Sequence, residues 1–311
     1  MNTKTAGLNS NPFNKYLSRF FAKSNQILVY AVLGTASVLT LLPVLWSISV
    51  SFMGKEDLYR RTPTLLPRAP VLDNYIWTLT TASKGAASSY LGWFVNSIIV
   101  SAVTVVVTLL VATLAGYAFG RLKFRGRDAI FYVLVLLMFI PRSGGLMALF
   151  EEMHFLGLRN SLVGLGLLFA GGGGFMGGGL VVAIFILRQF FLQVPGDYED
   201  AARIDGASRW QVFWHIMLPM ATGAMSVVMI LTLIEAWGEY LVTITMLDDP
   251  NLYTLGVGIA GIFTGGTVAM GEVAGYGAQA AAYNLFIIPV TLVFILTQKW
   301  FIRGLTGGLK F

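Results

Sequence analysis

Residues 199–219 read Glu199-Asp200-Ala201-Ala202-Arg203-Ile204-Asp205-Gly206-Ala207-Ser208-Arg209-Trp210-Gln211-Val212-Phe213-Trp214-His215-Ile216-Met217-Leu218-Pro219. This is a charged, helix-prone island in a chain that is otherwise apolar. Of 311 residues, 56% are hydrophobic and 12% charged, with a mean hydropathy of +0.73. An average soluble domain carries roughly 25% charged residues. Half that charge cannot cover a globule of this size in water, and a bilayer is the solvent that fits. The island is then a structured polar loop between two membrane spans, which is where a partner docks.

A span needs about 20 mostly apolar residues. The runs 27–52, 94–120, 129–149, 172–191, 221–247 and 278–302 satisfy this, which predicts an all-α polytopic membrane protein with six transmembrane helices. The fourth run starts in a stretch where seven of the nine residues from Gly171 to Gly179 are glycine, and Leu162–Ala170 before it reads as an apolar segment outside the membrane. Residues 1–26 are polar and lack the short apolar core and small-residue cleavage site of a signal peptide, so they read as a cytoplasmic tail. Residues 303–311 read as a second tail.

Six spans put both ends on one side, and basic residues choose the side. With both ends inside, the cytoplasmic segments hold Lys4, Lys15, Arg19, Lys23, Arg121, Lys123, Arg125, Arg127, Arg188, Arg203, Arg209, Lys299, Arg303 and Lys310. The outer segments hold half as many: Lys55, Arg60, Arg61, Arg68, Lys84, Arg142 and Arg159. The island at 195–219 therefore falls in the cytoplasm. The net charge of +6 sits at the ends of apolar runs, which is a topology signal rather than a nucleic-acid footprint. With no cysteine, disulfides, thiolate nucleophiles and cysteine metal sites are excluded, and two histidines cannot make a multi-histidine site.

Within the island, Pro195-Gly196-Asp197 is a turn signal, and Asp197 reads as a helix cap with Asp200 three residues on. Tyr198–Ile204 reads as a short helix that Asp205-Gly206 breaks, and Ala207–Ile216 as a second one. The result is an elbow with Ala201, Ala202 and Ala207 at the bend, small enough to seat in a partner's groove. The same residues also describe an amphipathic helix at the lipid surface, although the acids Asp197, Glu199, Asp200 and Asp205 suit anionic headgroups poorly.

The spacing Asp200-Ala201-Ala202, three residues, Gly206, nine residues, Ile216-x-Leu218-Pro219 resembles the EAA loop of ABC-importer permeases. Asp stands for the usual Glu, with Glu199 beside it. The resemblance extends along most of the chain. Ala115-Gly116-Tyr117-Ala118-Phe119-Gly120-Arg121-Leu122-Lys123-Phe124, Leu187-Arg188-Gln189-Phe190-Phe191, Tyr253-Thr254-Leu255-Gly256-Val257-Gly258 and Phe301-Ile302-Arg303-Gly304-Leu305-Thr306 are similar to the maltose-type carbohydrate permeases, in their shorter six-span subunit. The glycine run is longer than in that family, and Gly238 stands where many relatives carry Asn.

The resemblance implies a non-enzymatic permease subunit in a bacterial plasma membrane. Its implied partners are a second permease, two ATP-binding subunits and an extracytoplasmic substrate-binding protein. ATP and Mg would sit on the partner subunits and no cofactor on this chain. It also implies that Glu199, Asp200, Ala201, Ala202, Arg203, Asp205, Gly206 and Ala207 form a coupling helix through which ATPase closure drives alternating access. The chain itself carries no Gly-x4-Gly-Lys-[Ser/Thr] phosphate loop.

Polar residues inside the spans are costly and tend to face a cavity or a partner. Glu235 and Glu239, four residues apart and flanking Trp237 with Tyr240 next, could line a cargo pathway in which aromatic faces stack on sugars and carboxylates bond hydroxyls. They could equally pair with another chain or cap local helix geometry; a proton relay is a third reading, for which the same spans offer no evident basic partner. Asn96 and Asn284 are weaker pathway candidates and suit interhelical hydrogen bonds. Glu151, Glu152 and His154 mimic a metal cluster but read as an outer loop. The main functional class is thus a carbohydrate importer permease. Alternatives are an importer for glycerol phosphate, a polyol or an acidic oligosaccharide, and an ion- or proton-coupled carrier.

Overall fold

The computed structural model describes residues 12–60, 62, 64–80, 89–139, 145–173, 179–264 and 275–306. Helix α1, Pro12–Ser51, is followed by the short α2, Lys55–Leu58, and by α3, Asp73–Thr80. Helix α4, Tyr90–Arg121, is the hub, and α5, Arg127–Leu137, α6, Leu146–Phe155, α7, Leu162–Ala170, and α8, Gly179–Gln193, come after it. The island supplies α9, Asp197–Ile204, α10, Arg209–Val212, a π-helical turn at Phe213–Met217, and α11, Leu218–Met220. Then come α12, Thr222–Gly238, α13, Leu241–Met246, α14, Leu255–Thr264, and α15, Gly275–Thr306.

Among the described residues, three helices are long and apolar enough to cross a bilayer: Leu28–Ser51 of α1, α4, and Gly275–Phe301 of α15. Two further candidates are bent pairs, α8 with α9 at 71° and Arg209–Met220 with α12 at 70°. Residues 28–46 of α1 are all exposed, and α1 packs chiefly on α15. A helix this apolar on every side has lipid or another protein around it. Helices α7, α8, α12 and α14 all pack on α4.

Close packing of α4 on α8 follows from its small residues. Gly116 and Gly120, four apart, lie against Leu187, Arg188 and Phe191: a β-carbon on Gly116 would come 2.8 Å from the Leu187 Cβ, and one on Gly120 3.1 Å from the Phe191 Cβ. Small residues at this spacing let two backbones approach where no hydrophobic effect drives helices together. Beneath that contact a core of Tyr117, Leu187, Phe191, Val212, Phe213, Met217 and Val228 joins α4 and α8 to the island and α12. A second core gathers Val100, Leu165, Phe169, Val242 and Met246, and a third Tyr90, Trp93, Trp237, Leu255 and Ile259.

Three of the expected spans are not single unbroken helices among the described residues. The run 129–149 is covered by two helices, α5 and α6, with 140–144 outside the described residues. Helix α5 stops at Leu137, four residues before Pro141, whose ring would clash with the Leu137 carbonyl in a continuing helix. The glycine run begins as a helix end rather than a span. Gly172 takes φ +89°, the Gly172 N–H donates to the Phe169 carbonyl, and the Gly173 N–H donates to the Leu168 carbonyl, closing α7 with a Schellman turn. Helix α7 is accordingly packed on α4 with Leu165 and Phe169 buried, and the next helix starts at Gly179 among the described residues, residues 174–178 lying outside them. The run 221–247 is not one helix either, because α12 ends at Gly238 and Glu239 is extended.

The tail at 1–26 is helical from Pro12, and α15 continues through Thr306 of the 303–311 segment. Residues 1–11 and 307–311 lie outside the described residues.

Candidate functional site

The elbow is built from local chemistry. Helix α9 starts at Asp197 with Gly196 as its N-cap residue, so Asp197 is the first helical residue rather than the expected side-chain cap. Asp197, Glu199 and Asp200 still place three acids in the first turn, where the helix dipole favours them. The helix ends at Gly206, with φ +83°. The Gly206 N–H donates to the Arg203 carbonyl at 3.0 Å and the Ala207 N–H to the Ala202 carbonyl at 2.9 Å, a complete Schellman turn. Ser208 restarts the chain as a helix. Its hydroxyl accepts from the Gln211 N–H, while the Gln211 carboxamide accepts from the Ser208 N–H at 2.8 Å.

Beyond α10 the winding loosens into the π-helical turn at Phe213–Met217, followed by Pro219 near the start of α11. Such turns occur mostly as single insertions within helices. Trp210 stacks on Phe213 at this corner and Trp214 meets Phe213 edge-on, with Trp210 and Trp214 exposed and Phe213 buried.

The site residues separate into two faces. Ala202 is buried in the chain's own core with Phe213 and Met217. Ala201, Asp205 and Ile204 are exposed, Ile204 at 87%. Pro195, Asp197, Tyr198, Ala201, Ala202, Asp205 and Ile216 line a groove of about 610 Å³. Glu199 faces inward and Asp200 outward: Glu199 is buried, while Asp200 is exposed and pairs with Arg203 at 3.5 Å.

By sequence, Arg121 and Arg188 count as topology charges. In the structure both are structural groups of the site. The Arg121 Nε donates to the Glu199 Oε1 at 2.8 Å, and its Nη1 donates to the Val194 carbonyl at 3.0 Å and the Phe191 carbonyl at 3.4 Å. Arg188 returns the contact from α8, donating to the Phe119 carbonyl and to Asp128, both at 3.4 Å, while stacking on the Phe131 ring. The hydrogen bond from Arg127 to Asp128, reinforced by Arg188, holds the Asp128 carboxyl below the usual carboxylate range. The Gly116-x3-Gly120 spacing directly before Arg121 was the available signal, since it marks where another helix packs.

The pathway candidates are not one cluster of equivalent groups. Asn96 donates to the Asn251 and Tyr253 carbonyls at 2.7 and 3.0 Å, pinning a loop to α4. Trp237 donates to the Phe286 carbonyl at 2.9 Å, and Asn284 exchanges hydrogen bonds with Ser47, tying α15 to α12 and α1. Glu239 is not four residues along one helix from Glu235. Its carboxylate caps α13, accepting from the Val242 and Thr243 N–H groups at 2.9 and 2.8 Å and from the Thr243 hydroxyl at 3.0 Å. Glu235 lies half-buried against Gly179 of α8, where a β-carbon would come 2.7 Å from its Oε2, and Tyr240 is exposed.

The cap has a measurable consequence. Glu239→Ala leaves two buried N–H groups of α13 without an acceptor and is expected to lower stability by about 3 kcal/mol. The readout is the melting temperature of the purified chain in detergent, and an unchanged value would show that Glu239 is dispensable to the break.

Comparison with known proteins agrees with this architecture. The family described as "Binding-protein-dependent transport system inner membrane component" matches residues 109–307. The galactooligosaccharides transport system permease protein GanQ of Bacillus subtilis is 33% identical over 279 residues, 90% of this chain and 93% of that protein. The maltose/maltodextrin transport system permease protein MalG of Vibrio vulnificus is 31% identical over 277 residues, 86% of this chain and 89% of that protein. A crystal structure of a bacterial ABC transporter involved in the import of the acidic polysaccharide alginate contains a chain of the same fold. Its TM-score is 0.74 at 23% identity, covering 91% of this chain and 97% of that one.

Proposed function

Because the chain belongs to the binding-protein-dependent transport system inner membrane component family, we propose that it is the permease subunit of an ATP-driven importer for a carbohydrate, an oligosaccharide or sugar derivative. The observation that carries this reading is the elbow: a short acidic helix closed by Gly206, at the spacing from Asp200-Ala201-Ala202 to Ile216-x-Leu218-Pro219. The names of GanQ and MalG, relatives that align over most of the chain, support a sugar cargo.

In this reading both ends of the chain are cytoplasmic and six segments cross the plasma membrane. The elbow seats on a separate ATPase, which binds ATP and Mg. A second permease completes the pathway, and an extracytoplasmic binding protein delivers cargo. Exposed Ala201, Asp205 and Gly206, with Asp200 and Arg203, face the ATPase. The candidate pathway residues are Asn96, Glu235, Trp237, Glu239, Tyr240 and Asn284, of which Asn96, Trp237, Glu239 and Asn284 also bond the chain's own backbone and side chains. Alternating access then occurs by rigid-body motion of packed helices around a midplane site.

Co-purification and uptake test the reading together. A tagged chain is expected to bring down a second permease and an ATP-binding subunit, and the complex in liposomes to import sugar only with ATP and binding protein. A lone chain that transports on a proton gradient without ATP would overturn it.

A further inference from the structure

We propose that Arg121 is a positioning residue that braces the bend between α8 and α9, so that the elbow moves as one body with the α4–α8 pair. This rests on the reading of the elbow as the point where force enters. The connection from α8 to α9 is only Val194-Pro195-Gly196, and the chain turns through 71° there. A three-residue joint containing glycine would let the elbow pivot without moving the helices above it.

Arg121 spans that joint from a third element. One edge of its guanidinium holds the Val194 and Phe191 carbonyls at the end of α8, and Nε holds the Glu199 carboxylate on α9 at 2.8 Å. Both partners are shielded, with side chains 14% and 8% exposed, so water screens the pair little. Arg188 makes the reciprocal tie from α8 to the Phe119 carbonyl of α4. Gly116 and Gly120 seat the α4 and α8 backbones closely against each other.

The other side of the elbow is built differently. It leaves through a π-helical turn, Pro219 and a 70° bend into α12. The elbow is therefore tied to α4 and α8 by Arg121 across a three-residue joint, and to α12 by the core packing of Phe213, Met217 and Val228. The two adjacent acids divide accordingly, Glu199 inward to Arg121 and Asp200 outward to solvent.

A brace across two elements needs a planar fork, which lysine lacks although it keeps the charge. In the complex reconstituted in liposomes with its ATPase and binding protein, Arg121→Lys is expected to lower sugar imported per ATP hydrolysed by ~10-fold, within the usual range of coupling between sites. A merely structural role would lower uptake and hydrolysis together and leave that ratio unchanged. The natural chain has no cysteine, so a second variant is clean. Arg121→Cys with Glu199→Cys should be equally uncoupled, and a short bis-maleimide joining the two thiols should restore the ratio to within about threefold of the natural chain. An unaltered ratio in Arg121→Lys, or a cross-linked pair that stays uncoupled, would overturn the brace. Failure of the unsubstituted chain to recruit an ATPase would instead overturn the importer reading, before any variant is compared.

Discussion

Gly206→Pro is expected to reduce ATP-dependent sugar uptake by about 100-fold while the membrane portion of the chain stays folded. Gly206 holds φ +83°, a region proline cannot enter because its ring fixes φ near −65°. The substitution also removes the N–H that donates to the Arg203 carbonyl at 3.0 Å. Together these cost roughly 3 kcal/mol or more, enough to make the closed elbow a minor conformer. No atom lies within 4 Å of a β-carbon placed on Gly206, so crowding plays no part and the effect is one of backbone geometry. That gives a graded control. Gly206→Ala should cost about 1–2 kcal/mol, and Gly206→Asn less, because asparagine visits the left-handed region. The buried core begins at Ala202 and excludes Gly206, so the chain should still fold, with a melting temperature lowered by roughly 2–4 °C for each kcal/mol of this backbone cost. Uptake by Gly206→Pro at the unsubstituted rate would sink the assignment of the elbow as the coupling element.

What was legible in the sequence was what local chemistry determines. Gly206 and the spacing to Pro219 announce an elbow because turns and caps are decided within a few residues. The Ser208–Gln211 capping box is equally local, but it is the structure that identifies it. The anchoring of the elbow was not legible, since Arg121 and Glu199 are separated by 78 residues and only the α4–α8 packing brings them together. The reading of Glu235 and Glu239 as one helical face assumed an unbroken period of 3.6. Gly238 interrupts it, so Glu239 turns to cap α13 and the two carboxylates do different things. Hydropathy likewise sees the 129–149 run as one span, because it averages over the end of α5 at Leu137. Glycines were ambiguous for one physical reason: the same residue serves as a helix end at Gly172 and as a helix seat at Gly116.

Gly116→Leu should show how much of the permease depends on that seat. A β-carbon at residue 116 meets the Leu187 Cβ at 2.8 Å, the Arg188 nitrogen at 3.1 Å and the Leu187 carbonyl carbon at 3.2 Å. Two of these are backbone atoms of α8, which cannot rotate away as a flexible side chain would. Relief requires the helices to separate, and overpacking of this kind costs about 3 kcal/mol, the upper end of the usual range. Separation also draws Phe191 and Val194 away from Arg121, so packing and hydrogen bonds are lost together. The expected outcome is a severe loss of folded protein in the membrane, read as yield of monodisperse chain after detergent extraction. Gly120→Ala should be milder, because its nearest neighbours are the Phe191 Cβ at 3.1 Å and the Arg188 carbonyl oxygen at 3.4 Å. Gly34→Ala should leave yield unchanged, as nothing lies within 4 Å of that position. Gly116 tolerating leucine as Gly34 tolerates alanine would mean that α4 and α8 are not held at this distance, and the elbow would lose the rigid pair it is braced against.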